Sequence, residues 1–251
     1  MIGSTIYRLA VCASTNDVAK TLAQAGAETG TVVIADEQTG GRGTKGRGWH
    51  SAKGRGLYAS VILRPQRRDI ALLPAAAGLA VSDAIKLATG LETRLKWPND
   101  VVWHGRKIAG VLSEAAFLGS AASYVVVGIG INVRHGRRDF PAEIAPAATS
   151  LRLALRRLPD TAKLEAALWQ ALDVWFGKFA AGKKRDIIDA FESRLVYPVG
   201  SAVKVEREKE SVTGTLRGLD AQARLILESG GRILLLTAAE IVTIQPYSLP
   251  R

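Results

Sequence analysis

Apolar positions along the chain follow two regimes that change near residue 197. In the first, helical and strand spacings mix. Val18, Leu22 and Ala25 fall on one side of a 3.6-residue repeat over 14–27, and Ser14 and Thr15 stand where a hydroxyl N-cap belongs, so the spacing predicts a helix. The same reasoning predicts helices over 72–89, stopped by Gly90, and over 164–179 and 186–195. Apolar or β-branched runs at 31–35, 57–63 and 124–131, bounded by glycine, predict buried strands.

From Pro198 onward the pattern becomes short strands at 202–205, 212–217, 224–227, 232–236 and 241–244. Ser229, Gly230 and Gly231 supply a hairpin turn between the third and fourth. Five short strands in about fifty residues predict a small β-barrel appended to a larger domain. The expected division is a first domain over 1–196 and a second over 197–251, with no internal repeat and no low-complexity linker.

Composition narrows the class. With 251 residues, 47% hydrophobic and 23% charged, the chain buries a sizeable core, which excludes a disordered protein. A single cysteine, Cys12, allows no internal disulfide and points to a reducing cytoplasm. The N-terminus carries no signal-peptide pattern, and no run is expected to reach the roughly 20 apolar residues of a membrane span. The net charge of +11 calls for an anionic partner: a nucleotide, a nucleic acid, a membrane surface or an acidic protein. Its distribution is more informative, because 41–56 holds five basic residues and six glycines with no acid.

That segment contains Gln38-Thr-Gly-Gly-Arg-Gly-Thr-Lys-Gly-Arg-Gly-Trp49. Glycines let backbone N–H groups approach an anion, and interleaved Arg and Lys add charge-assisted hydrogen bonds, so the loop suits a phosphate or a carboxylate. It fits neither a Walker loop nor a dinucleotide fingerprint, since the final Lys-Ser/Thr and the immediate helix are both missing. A solvated basic loop is the alternative.

A second cluster is Lys96-Trp-Pro-Asn-Asp100, followed by Gly105-Arg-Lys-Ile-Ala-Gly-Val-Leu-Ser-Glu114. Pro98 is expected to hold Trp97 extended, placing Asn99 and Asp100 at the start of an apolar stretch. Lys107, just before a strand-like run, would neutralise a carboxylate and a phosphate together. Taken alone, a lysine in this position is more often a surface lysine at a hairpin. In Val127-Gly-Ile-Gly-Ile-Asn-Val133 the alternating glycines mark close approach, either of a flat ligand or of packed protein, with Asn132 poised to bond a ligand amide or phosphate. His50, His104 and His135 are too scattered for a zinc site and are expected to be surface or hydrogen-bonded. The basic runs 134–138 and 152–157 read as solvated faces or as a surface for an acidic acceptor domain.

Six segments in order, Ser14-Thr-Asn16, Asp36-Glu-Gln-Thr-Gly-Gly-Arg-Gly43, Lys96-Trp-Pro-Asn-Asp100, Gly105-Arg-Lys-Ile-Ala-Gly110, Gly128-Ile-Gly-Ile-Asn132 and Ala148-Thr-Ser-Leu151, resemble the motifs of biotin protein ligases. The resemblance runs from about residue 5 to the C-terminus. It implies an α/β (α+β) fold with a mixed sheet flanked by helices, related to class II aminoacyl-tRNA synthetase catalytic domains, and a C-terminal SH3-like barrel. It implies an ATP- and Mg²⁺-dependent ligase that makes biotinyl-5'-AMP and transfers biotin to a lysine of a biotin carboxyl carrier domain, as in acetyl-CoA carboxylase. Ser14-Thr-Asn16 lies too near residue 1 for the winged helix of repressor members, so an enzyme with no DNA partner, no repressor role and no membrane partner is expected.

By position, the resemblance assigns Ser14, Thr15, Asn16, Gln38, Gly41, Arg42, Gly43 and Lys107 to biotin, with Gly110, Leu112 and Gly128 lining its pocket. It assigns Thr44, Arg47, Trp49, Asn99, Lys107 and Asn132 to the adenylate. Lys107 and Arg42 would stabilise charge in the first step, and Asp100 would take the acceptor lysine's proton in the second. No metal site from protein side chains is expected, Mg²⁺ accompanying ATP. One departure stands out: the family loop reads Gly-Arg-Gly-Arg-x-Gly-Arg, whereas this chain has Thr44 at the fourth position, and Lys45 cannot reproduce a bidentate arginine. The resemblance leaves monomer and homodimer both open and does not name the acceptor. A lipoate ligase would share the adenylation chemistry. A single-strand nucleic-acid binder would explain the charge but not 96–100 or 105–110.

Overall fold

The computed structural model describes residues 1–66, 69–119, 121–207 and 210–247. Seven strands form the first sheet: β1 (Ile6–Leu9), β2 (Val32–Ala35), β3 (Gly56–Leu63), β4 (Arg94–Lys96), β5 (Asp100–Trp103), β6 (Arg106–Leu118) and β7 (Ala121–Asn132). Their spatial order is β1-β2-β3-β7-β6-β5-β4. β1 and β2 run parallel and every other pair is antiparallel, so the sheet is mixed.

Five helices complete this part: α1 (Thr15–Gln24), α2 (Leu73–Thr89), α3 (Leu151–Leu155), α4 (Thr161–Ala180) and α5 (Lys184–Ser193). They cover both faces. Ala19 and Ala23 of α1 pack on Val33, Ile62 and Val126, while Val32, Val61 and Val127, each one residue away, point to the other face and the core under α2 and α4. Burial on both sides is why these strands read as continuous apolar runs rather than as alternation. α2 is apolar almost all round because it lies between the sheet, α4 and α5. Contrary to the expectation from sequence, 70–89 is long and apolar enough to cross a membrane, but most of it is buried as a core helix. It stops at Gly90, whose left-handed φ of 77° supports the N–H bond to the Lys86 carbonyl.

The second sheet holds β8 (Ala202–Arg207), β9 (Ser211–Leu219), β10 (Leu225–Ser229), β11 (Arg232–Leu236) and β12 (Ile241–Pro246), in the order β11-β10-β9-β8-β12 and antiparallel throughout. Gly230 and Gly231, at φ of 55° and 73°, make the tight β10–β11 turn that the sequence predicts. Val203, Leu216, Leu227 and Ile244 join the core of the first sheet. Polar contacts tie the second sheet to the first part of the chain, among them Trp97 Nε1 donating to the Ala223 carbonyl at 3.0 Å, Lys96 Nζ donating to Thr243 Oγ1 at 3.3 Å, and the Leu219 N–H donating to Glu192 Oε1 of α5 at 2.6 Å.

One local expectation is refined and one is corrected. Trp97–Asn99 form the turn between β4 and β5, with a cis Trp97–Pro98 peptide, and Asp100 opens β5. Ser14 occupies the N-cap of α1 with extended backbone but makes no capping bond; the Thr15 N–H donates instead to Gln38 Oε1 at 2.8 Å.

Candidate active site

The glycine-rich loop leaves β2 and folds back on itself. The Trp49 N–H donates to the Gly41 carbonyl at 2.8 Å and the Gly43 N–H to the Arg47 carbonyl at 2.7 Å. A Cβ on Gly41 would lie 2.6 Å from the Trp49 carbonyl oxygen, so only glycine allows this closure. The loop thereby lays the Trp49 indole across β7 and β6. Cβ atoms would stand 2.5 Å from it at Gly130 and 3.1 Å at Gly110, which makes these glycines the seat of an aromatic ring. Gly128 makes room for Asn16 in the same way, at 2.3 Å from its Oδ1.

Two cavities open beside this ring. The first encloses about 420 Å³. Ser14, Thr15, Asn16, Gln38, Arg42 and Gly43 line one side, and Lys107, Gly110, Leu112 and Gly128 the other. Of the residues assigned to biotin from sequence, Gly41 alone is absent from this lining; it serves the loop closure. The second encloses about 1070 Å³ and is bordered by Thr44, Arg47, Asn132, Lys96 and Asp100, with Phe140, Ile144 and Ala148 as its apolar wall. Asn99 lies in the first cavity and in a smaller cleft rather than in the second, and it donates from Nδ2 to the Val111 carbonyl at 2.7 Å. Gly43, Trp49 and Lys107 line both cavities, so the two adjoin at these three residues.

Polar contacts fix the walls. Thr15 Oγ1 donates to Gln38 Oε1 at 3.0 Å, and the buried Ser60 hydroxyl lies 2.7 Å from Thr15 Oγ1 and 2.6 Å from Asn16 Oδ1. Asn16 Nδ2 donates to Glu114 Oε2 at 2.6 Å, and Asn132 Nδ2 donates to the Thr149 carbonyl at 3.0 Å. Arg42 reaches over the first cavity in a two-pronged pair with Asp17, its Nη1 bond 2.7 Å long, with Glu114 at 3.5 Å beyond. The Arg42 guanidinium holds the Asp17 carboxyl below its ordinary range. At Glu114 burial pushes the carboxyl up, but hydrogen bonds from Lys20 and Asn16 outweigh it and the net shift is downward.

Lys107 Nζ sits 2.6 Å from Asp100 Oδ1 and 5.1 Å from the Trp49 ring centre. The Trp49 Nε1–H is buried and has no hydrogen-bond acceptor among the described residues. An orphaned donor at the meeting point of two cavities is a place for a ligand acceptor.

Ser60, Asp17 and Glu114 escape sequence reasoning as site residues. Ser60 is a lone hydroxyl in an apolar strand, and the only signal for the other two is their place beside Ser14-Thr-Asn16 and at the end of 105–114. His135 corrects an expectation: it is fully buried, and neither ring nitrogen has a hydrogen bond among the described residues. It stacks on Phe140 at 4.8 Å with His50 at 5.9 Å, and burial, with His50 nearby, holds its imidazole down to about 4. Arg134, Arg137, Arg138, Arg152, Arg156 and Arg157 are exposed, as their sequence runs suggest.

Residues 9–132 match the biotin/lipoate A/B protein ligase family, and 199–243 match the biotin protein ligase C-terminal domain. The biotin–[acetyl-CoA-carboxylase] ligase of Mycobacterium tuberculosis is 35% identical over 240 residues, covering 92% of this chain and 86% of the relative. The bifunctional ligase/repressor of Bacillus spizizenii is 33% identical over 246 residues, covering 96% and 74%. The Aquifex aeolicus biotin protein ligase, solved with biotin and ATP, superposes with a TM-score of 0.84 at 30% identity, covering 97% of this chain and all of that one. With both sheets, the two joined cavities and these likenesses in agreement, the chain belongs to the biotin protein ligase family and is a ligase enzyme.

Proposed function

We propose that this ligase joins biotin and Mg-ATP into biotinyl-5'-AMP and then transfers the biotinyl group to a lysine of a biotin carboxyl carrier domain in a carboxylase such as acetyl-CoA carboxylase. The observation that carries this reading is that Lys107 lines both cavities, so a single ammonium would serve a carboxylate in the smaller and a phosphate in the larger.

Biotin's ureido head would sit among Ser14, Thr15, Asn16 and Gln38, its chain passing Gly110, Leu112 and Gly128 toward Gly43. The nucleotide would lie along Thr44, Arg47, Trp49, Asn99 and Asn132. A biotin carboxylate oxygen attacks the α-phosphorus, the bond to the bridging oxygen breaks, and pyrophosphate leaves; Mg²⁺ carried on the triphosphate would neutralise that leaving group. Lys107 offsets the charge that gathers between the reactants, and Arg42 adds a second cation when it turns from Asp17. In the second step Asp100 takes the proton of the acceptor ammonium, the amine attacks the mixed anhydride, and AMP departs. The exposed arginines at 134–138 and 152–157 suit an acidic acceptor. The aligned relatives, named as acetyl-CoA-carboxylase ligases or solved with biotin and ATP, support the same substrates.

The test is mass spectrometry of a purified carboxyl carrier domain incubated with the protein, Mg-ATP and either biotin or lipoate. A biotin-sized gain, lost with Lys107→Ala, is expected. A gain with lipoate alone, or none with several carriers, would overturn the reading.

A further inference from the structure

Behind the polar wall of the smaller cavity runs a chain of hydrogen bonds whose direction is fixed from its far end. Glu114 of β6 receives Asn16 Nδ2 at 2.6 Å on one oxygen and the Lys20 ammonium on the other, and both donors favour the ionised carboxylate. A carboxylate only accepts, so the Asn16 amide faces it with nitrogen, and Asn16 Oδ1 points the other way, to Ser60 Oγ at 2.6 Å. An amide oxygen only accepts as well. The single hydrogen of the buried Ser60 hydroxyl is therefore spent on Asn16, and the 2.7 Å contact between Ser60 and Thr15 needs a hydrogen from Thr15.

Gln38 is fixed from the opposite side. Ser51 Oγ donates to the Trp49 carbonyl at 3.2 Å and so accepts from Gln38 Nε2 at 2.8 Å, which turns Gln38 Oε1 toward Thr15. That oxygen takes the Thr15 N–H at 2.8 Å. The Thr15 hydroxyl hydrogen thus has two protein acceptors in reach, Gln38 Oε1 at 3.0 Å and Ser60 Oγ at 2.7 Å, and none is left for a ligand. When it turns to Ser60, Gln38 Oε1 keeps one lone pair free and Thr15 Oγ1 keeps two. A chain running in reverse, from Asn16 nitrogen through Ser60 and Thr15 to Gln38, would fill Gln38 Oε1 twice and leave one lone pair at Thr15. Thr15 and Gln38 line the cavity, whereas Ser60 and Glu114 stand behind it.

We infer that Ser60 and Glu114 are positioning residues for ligand choice: through Asn16 they set the hydrogen-bond polarity of Thr15 and Gln38, so that the smaller cavity offers acceptors to the N–H groups of a cyclic urea. This rests on the biotin reading above. A head group without N–H donors, such as the dithiolane of lipoate, leaves those acceptors unsatisfied and is disfavoured for that reason.

The experiment is calorimetric titration of the full-length protein with biotin and with its cyclic carbamate analogue, in which one ureido N–H is replaced by oxygen. Wild type is expected to prefer biotin by about 100-fold, because the analogue sets oxygen against an acceptor. In Glu114→Gln, Lys20 holds the amide oxygen, the amide nitrogen faces Asn16, and Asn16 must turn over. Ser60→Ala interrupts the chain and returns the Thr15 hydrogen to Gln38. Each variant is expected to weaken biotin by about 10-fold and the analogue by less than about twofold, with the KM for ATP within about twofold of wild type. The double variant should lose no more than either single one, since both break the same chain. An equal loss for both ligands would make Ser60 and Glu114 supports of the fold and overturn the inference, as would an unchanged preference for biotin; both results leave the ligase reading intact. Failure of the wild type to bind biotin would defeat both.

Discussion

Lys107 of β6 and Asp100 of the neighbouring β5 hold ammonium and carboxylate 2.6 Å apart, although in register Asp100 pairs with Gly110 and Lys107 with Val102. In the proposed cycle the pair must open twice, once for the ammonium to meet the α-phosphate and once for the carboxylate to receive a proton. The two steps should therefore respond differently to each residue. Lys107→Ala is expected to slow adenylate formation by roughly 10²- to 10³-fold, the range for loss of one charge-stabilising group. Asp100→Asn should slow transfer from supplied biotinyl-5'-AMP by about 100-fold while affecting adenylation less. Single-turnover measurements of each step decide this; equal effects of Asp100→Asn on both would make it a support for Lys107 rather than a proton acceptor.

Local pattern reveals the buried strands well because their apolar runs are continuous, and it reveals α1 because Val18 and Leu22 repeat at helical spacing. It fails at β1, β4 and β5, which are three or four residues long and carry Arg8, Arg94, Lys96 and Asp100 among their apolar positions. It also passes over α3, a single five-residue turn. Such elements are fixed by pairing with distant strands, a tertiary term absent from any local window. At the site, sequence motifs mark the residues that touch the cavities but not those that hold them. Ser60 and Glu114 meet Asn16 from strands 44 and 98 residues away in sequence. The spacing of glycines at 128 and 130 signals close approach, but only the fold identifies what approaches: Asn16 and Trp49.

The burial of His135 gives stability a pH dependence. Its folded value, about 4, lies below the ordinary 6.5 of an exposed imidazole. Between those values the unfolded chain binds a proton that the folded chain refuses, so stability falls as pH drops from 6.5 toward 4 and the loss is complete below that. His50 and Arg55 act in the same direction and Asp139 opposes them. The effect is on the order of 3 kcal/mol. Since neither ring nitrogen is hydrogen-bonded among the described residues, His135→Leu removes no such bond there, and its Tm-versus-pH curve should be flatter than that of wild type from pH 7 to 4. Parallel curves would show that the imidazole takes up its proton as freely folded as unfolded.

The seat of Trp49 on β7 leaves no space for a methyl group. With an indole atom 2.5 Å from a Cβ at Gly130, Gly130→Ala must tilt the ring away from the sheet and disturb the wall shared by the two cavities. Overpacking of this kind costs about 1–3 kcal/mol, which corresponds to a loss of roughly 5- to 150-fold in ligand affinity. Trp49→Phe, with a smaller ring, should recover part of that loss in the double variant. Calorimetric titration with biotin and with ATP across the four proteins of the cycle gives the coupling; strictly additive effects would mean that ring and glycine do not communicate.

Thr44 is where this chain departs from the arginine-rich family loop. It opens a 3-10 turn at Thr44–Gly46 and borders the large cavity, so a long cation in its place would reach the nucleotide. Lys45 does not replace that cation, because its backbone is left-handed at φ 58°, its side chain is exposed, and it borders only the smaller cleft. The loop thus presents one fewer bidentate cation to a bound adenylate, and we expect biotinyl-5'-AMP to leave this protein more readily than it leaves a relative with arginine there. In the absence of an acceptor, Thr44→Arg should slow release of the intermediate by about 10-fold or more, the scale of one charge-assisted hydrogen bond. Rapid separation of free and bound biotinyl-adenylate after a single turnover measures it. Equal release rates in the two proteins would show that the remaining contacts, Arg47 and Lys107 among them, already retain the intermediate and that the side chain at position 44 contributes nothing to holding it.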